Sequence, residues 1–209
     1  KGLGYRKISM YYNARIAPFK GFQAAGIIWY QGEADASKPD VLKRGLPILY
    51  DDWNGIFSPD GSKLPFIAAQ LAAYGNLQTI SKANAAIAEG ISEINKISGS
   101  AITIPIYDVE VDTTDIHPVT KQPVAERMAA SVMGMVYEKP GLYSGPVVES
   151  VKVEGNSVIV KFSNVGDGLD VLSDEDTLSG FAIRTSSSLV AVSASITGKD
   201  TVKLDIGNI

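Results

Sequence analysis

The sequence predicts an α/β parallel-sheet domain over residues 1–142 followed by a small antiparallel β-domain over residues 143–209. Two observations predict it. Through the first two thirds, short apolar runs rich in β-formers alternate with stretches of helical periodicity, the pattern of βαβ units. From Gly145 onward the pattern becomes short alternating segments broken by Gly and Asn turns.

Taken in order, Gly26-Ile27-Ile28-Trp29-Tyr30 reads as a short strand buried on both faces. Val41 to Phe57 has helical apolar spacing, with Pro47 predicted to kink or end the helix because proline lacks the N–H donor. Leu64 to Ala69 is a second buried strand, with Pro65 tolerable only near its start. Ser81 to Ile97 repeats Ala83, Ile87, Ile91 and Ile94 at helical intervals, with Ser81 as cap and Gly99 as stop. Ala101 to Val109 is the third apolar run. Pro123 to Tyr137 is an amphipathic helix, with proline in its first turn and Lys139-Pro140-Gly141 ending it.

In the second domain, Val147 to Val153 and Ser157 to Phe162 flank a Glu154-Gly155-Asn156 turn and form a hairpin. Phe181 to Thr185, Leu189 to Ile196 and Thr201 to Ile206 continue as strands. A lone core of roughly 65 residues is marginal, so this domain is expected to lean on the first or on further sequence.

Composition narrows the function classes. Of 209 residues 45% are hydrophobic and 20% charged, which suits a globular protein. A net charge of −4 with no Lys/Arg cluster argues against nucleic-acid partners. No apolar run is long enough to predict a membrane span. The chain has no cysteine, which removes disulfides and thiolate metal sites. One histidine and scattered carboxylates do not make a zinc-ligand set, and no cofactor is implied. Asp170, Asp174, Glu175 and Asp176 lack the spacing of a calcium loop and read as a solvated turn.

The single histidine, His117, stands in Asp115-Ile116-His117-Pro118 after the third apolar run. Loops after strand C-termini gather catalytic groups in α/β sheets, and a carboxylate beside an imidazole orients a general base. The pair reads equally as a surface or capping aspartate beside a solvated histidine. The second feature is Gln31-Gly32-Glu33, which follows the first strand directly. A glutamine amide can donate to a developing oxyanion, and a glutamate can hold a neighbour by charge-assisted hydrogen bonds. The alternative makes Trp29 and Tyr30 core residues, with Gln31 and Glu33 capping the next helix.

Trp29-Tyr30-Gln31-Gly32-Glu33 followed by Asp115-Ile116-His117-Pro118 resembles the sialate O-acetylesterase family of SGNH-type hydrolases. Tyr12 to Phe19, Leu64-Pro65-Phe66 with Ala69 to Ala72, Lys121-Gln122, Glu126 to Ala129, Gly145 to Ser150 and Gly166 to Leu169 are similar to the family's flanking segments. The resemblance implies an SGNH-like (flavodoxin-like) sheet, incomplete at its N-terminus, and an esterase that removes O-acetyl groups from sialic acids or related sugars. It implies His117 as general base, Asp115 as its orienting acid, Gln31 as oxyanion donor and Glu33 in support. The Asp-x-His spacing departs from the Asp-x-x-His of many SGNH enzymes, and Asp112 and Thr114 stand nearby; Thr114 cannot act as a carboxylate, which favours Asp115.

A larger departure concerns the nucleophile. No Gly-Gln-Ser-Asn segment occurs among these residues. Gly61-Ser62 and Gly99-Ser100 precede strands instead of following them, and Ser9 opens a segment that the family uses for packing. The serine is therefore expected N-terminal to Lys1, in a missing part of the same protein, and the chain alone is expected to be nearly inert. Family resemblance also predicts a periplasmic or secreted enzyme acting on an O-acetylated sugar. Other readings are an acetylxylan esterase, or a noncatalytic sugar-binding protein with Trp29, Tyr30 and Trp53 as stacking platforms.

Overall fold

The computed structural model describes residues 9–109, 113–171 and 178–207. The chain divides into two compact units, Lys1–Tyr143 and Ser144–Ile209. Among the described residues no helix is long and apolar enough to cross a membrane.

The first unit centres on a three-stranded parallel sheet of β1 (Ile27–Trp29), β2 (Phe66–Ala69) and β3 (Ala101–Ile104), in that order. The central strand β2 is buried along its whole length, as its Phe-Ile-Ala-Ala sequence requires. Pro65 sits just before it, where its missing N–H costs no ladder bond, and its carbonyl accepts from the Ile27 N–H at 2.8 Å.

Helices α2 (Pro39–Phe57) and α3 (Leu77–Ser98) cover one face of the sheet. Ile27, Phe66, Ala68 and Ala101 meet Leu42, Leu46, Tyr50, Ala83, Ile87, Ile91 and Ile94 there in a single cluster. Gly90 permits the close approach of the two helices, since a Cβ at that position would stand 3.1 Å from the Lys43 carbonyl. On the other face, α4 (Gln122–Met135) places Val124 and Met128 against Ile67, Ala69, Ile104 and Ile106.

Several expectations need correction. The first strand is not buried on both faces: Ile27 is inside, but Ile28 is 55% exposed. β1 ends the order of described strands, and α4 packs over β2 and the exit of β3, so nothing apolar in that cluster covers Ile28. Helix α2 runs through Pro47 to Phe57 instead of ending there. Leu46 and Tyr50, on either side, are fully buried, and two such side chains contribute on the order of 3–6 kcal/mol, enough to offset the roughly 3 kcal/mol proline cost. Helix α3 starts a turn before Ser81, because Asn76 is the cap and accepts from the Thr79 N–H at 3.0 Å. The segment after Ser9 forms α1 (Met10–Arg15) with no buried residue, so it does not pack as expected. Phe19 and Phe22 meet edge to face at 5.9 Å and both stay exposed.

The second unit is antiparallel. β4 (Val147–Glu154) and β5 (Ser157–Ser163) form a hairpin closed by Gly155 and Asn156, with Gly155 at φ 58°. A four-stranded sheet has the order β4-β5-β9-β8, and β6 pairs with β7. The run predicted from Leu189 to Ile196 splits into β7 (Leu189–Ala191) and β8 (Ser193–Ile196), which belong to different sheets. The break falls at Val192, whose N–H turns to the Phe181 carbonyl just before β6 (Ala182–Arg184). Val158 and Val160 of β5 and Val202 and Leu204 of β9 (Thr201–Asp205) form the buried centre. Asp174, Glu175 and Asp176 lie outside the described residues.

Candidate active site

The C-terminal ends of the three strands point to one end of the sheet, and the loops that leave β1 and β3 form an open cleft there. It has a volume of about 510 Å³ and is lined by Tyr30, Gln31, Glu33, Ala34, Ile116, His117 and Lys121.

The wall after β1 is fixed by packing. Gly32 is buried at φ 152°, and a Cβ there would stand 3.2 Å from Leu71, 3.3 Å from Leu42 and 3.5 Å from Ile87. Only glycine fits both the space and the conformation. Glu33 Oε2 accepts the Gly32 N–H at 3.0 Å, and Trp29 Nε1 donates to the Gln31 carbonyl at 3.0 Å, so both ends of the turn are tied. Gln31 is left with its side chain exposed at the cleft. Leu71, beneath Gly32, is held by Asn84, a buried side chain that accepts the Leu71 N–H at 2.6 Å and donates to its carbonyl at 3.1 Å.

The opposite wall is held by polar contacts. Arg127 on α4 donates to the Pro105 carbonyl at 2.7 Å and grips Asp108 through two bonds of 2.8 and 2.7 Å. Hydrogen bonding to Arg127 holds the Asp108 carboxyl below its ordinary range, and the same bond pushes the guanidinium up. Further on, Pro118 is buried while the His117 side chain is 89% exposed.

Three of the four residues read from the sequence therefore meet: Gln31, Glu33 and His117 line the same cleft. Asp115 is not part of that lining. Its Oδ1 accepts the His117 backbone N–H at 2.7 Å and lies 3.8 Å from Nδ1, too far for a hydrogen bond between the side chains. Asp112 lies outside the described residues.

Trp29 and Trp53 contact each other edge to face at 6.0 Å, and both pack half-buried on the α2–α3 cluster. Ser62 and Ser100 precede β2 and β3, and so lie at the end of the sheet away from the cleft. Lys121 and Tyr30 were not singled out as a pair, although a lysine immediately before α4 is a legible signal. A cation at a helix N-terminus opposes the helix dipole.

No family model matches the chain. It is 27% identical over 173 residues to a human protein named sialate O-acetylesterase, covering 72% of this chain and 32% of that one. The mouse protein of the same name is 28% identical over 173 residues, with 72% and 30% covered. The chain thus spans about a third of the length of these curated relatives. A solved carbohydrate acetylesterase from Xanthomonas citri superposes with a TM-score of 0.75 at 24% identity, over 93% of this chain and 44% of that one. The chain is thus similar in sequence to proteins named sialate O-acetylesterase and in fold to a carbohydrate acetylesterase. With the solved acetylesterase it shares its fold over nearly all of the chain.

Proposed function

We propose that the cleft is the acyl-transfer site of a carbohydrate O-acetylesterase that removes O-acetyl groups from sialic acids or related sugars. The observation that carries this reading is that Gln31 and His117, from loops far apart in sequence, line one cleft at the strand C-termini. Similarity to named acetylesterases supports the reaction class.

In the proposed mechanism a serine Oγ attacks the acetyl carbonyl while the His117 imidazole accepts the serine proton. Asp115 stabilises the imidazolium, and the Gln31 side-chain amide donates to the oxyanion of the tetrahedral intermediate. Glu33 contributes indirectly, by fixing the turn that presents Gln31. The histidine then returns the proton to the departing sugar hydroxyl, and water repeats the sequence on the acetyl-enzyme. The chemistry draws on no metal or cofactor. In this reading the serine is supplied from outside these 209 residues, which hold no Gly-Gln-Ser-Asn segment. The family likeness supports a periplasmic or secreted enzyme.

Asp115 needs a side-chain adjustment for this role, since its oxygen now serves the backbone N–H of His117. Catalytic hydrogen bonds are often long before substrate binds.

The test is nitrophenyl acetate hydrolysis by the complete enzyme. His117→Ala should lower kcat by several orders of magnitude while substrate binding persists. Asp115→Asn keeps an oxygen for the turn but loses the charge, and should cost on the order of 10⁴. The 209 residues alone should fall short by roughly 10⁶. Turnover by His117→Ala at the wild-type rate would end the proposal.

A further inference from the structure

We propose that Lys121, held by Tyr30, is the cleft's anion-recognition residue and selects acylated sugars that carry a carboxylate over neutral ones. This deepens the esterase reading and rests on it, and it separates a sialic-acid substrate from a neutral one such as acetylated xylan.

Lys121 and Tyr30 both line the cleft that holds Gln31 and His117. The ammonium donates to the Tyr30 hydroxyl at 3.3 Å and stands 4.9 Å from the centre of the same ring. An aromatic face attracts a cation without neutralising it, and the bond to the hydroxyl leaves the ammonium two further N–H donors. Among the described residues, the ion pairs that involve lysines use Lys43, Lys96 and Lys161, and Lys121 pairs with no carboxylate. Glu33, the carboxylate in the same lining, directs Oε2 to the Gly32 N–H. The charge is also misplaced for folding, because it immediately precedes α4, where the helix dipole disfavours a cation. A chain of net charge −4 that sets this ammonium in the same lining as His117 offers an anionic sugar a local partner.

The experiment is isothermal titration of the chain with N-acetylneuraminic acid and with its methyl ester, which has the same ring without the charge. The acid should bind about tenfold more tightly, equivalent to about 1.4 kcal/mol, and the preference should shrink as salt rises. Lys121→Gln should abolish the preference, and Lys121→Arg should keep most of it, with melting temperatures confirming that both variants fold. Equal binding of acid and ester, a preference that survives Lys121→Gln, or no binding of either probe would overturn the proposal. His117→Ala retains Lys121 and should retain the preference. In the complete enzyme, loss of nitrophenyl acetate turnover on His117→Ala reports on the esterase chemistry separately.

Discussion

The two walls of the cleft are built on different physics. The Gln31-Gly32-Glu33 wall rests on buried Leu42, Leu71 and Ile87, with the Gln31 carbonyl, the Gly32 N–H and the Leu71 N–H all paired. The His117 wall is solvent-facing, and its ties among the described residues include a guanidinium clamp, the Asp115–His117 turn, a Gly75–Thr113 backbone bond and a buried proline. Core packing specifies position to a few tenths of an ångström, whereas exposed polar contacts contribute little individually. Damage to the first wall should therefore register as lost stability. Damage to the second should register mainly as lost turnover.

Gly32→Ala should show the largest stability effect. It forces a side chain into a left-handed backbone position against Leu71 and Leu42, and strain plus overpacking should cost about 2–5 kcal/mol in urea denaturation. Asn84→Ala comes next. It strands the buried N–H and carbonyl of Leu71, for about 2–3 kcal/mol by the same measurement. If either variant unfolds like the wild type, the first wall is not set by packing.

On the second wall, Arg127→Ala should cost only about 1 kcal/mol, because the pair with Asp108 is more than a third exposed. Its effect on kcat should exceed its effect on KM, since the loop that presents His117 loses its tie to α4. A smaller effect is pH-dependent. The folded-state pKa of Asp108 is lowered by Arg127, so its contribution is present above the unfolded value near 3.9 and is lost as pH falls through the folded value. Acid unfolding of Asp108→Asn should accordingly show a shallower loss of stability below about pH 4. A steeper loss would contradict the clamp.

The same contrast explains what could be read from the sequence. The buried strand at Phe66–Ala69 and the helix through Ala83, Ile87, Ile91 and Ile94 were legible because apolar periodicity reports burial directly. The exposure of Ile28 was not, since an apolar run says nothing about its place in the strand order. At Pro47 the local backbone cost points to a kink or a stop, and the tertiary burial of Leu46 and Tyr50 carries the helix through. Among the site residues, Gln31, Glu33 and His117 stood out by type and by position after a strand. Lys121 did not, because its partner Tyr30 lies 91 residues away, and only folding places the ammonium over that ring.

A crystal structure of the complete enzyme inactivated with a serine-directed phosphonate would test the central claim most directly. The account predicts an adduct in this cleft, with a phosphonyl oxygen about 3 Å from the Gln31 amide nitrogen and the His117 ring beside the modified serine. An adduct on a serine elsewhere, with the cleft between Gln31 and His117 left empty, would contradict it.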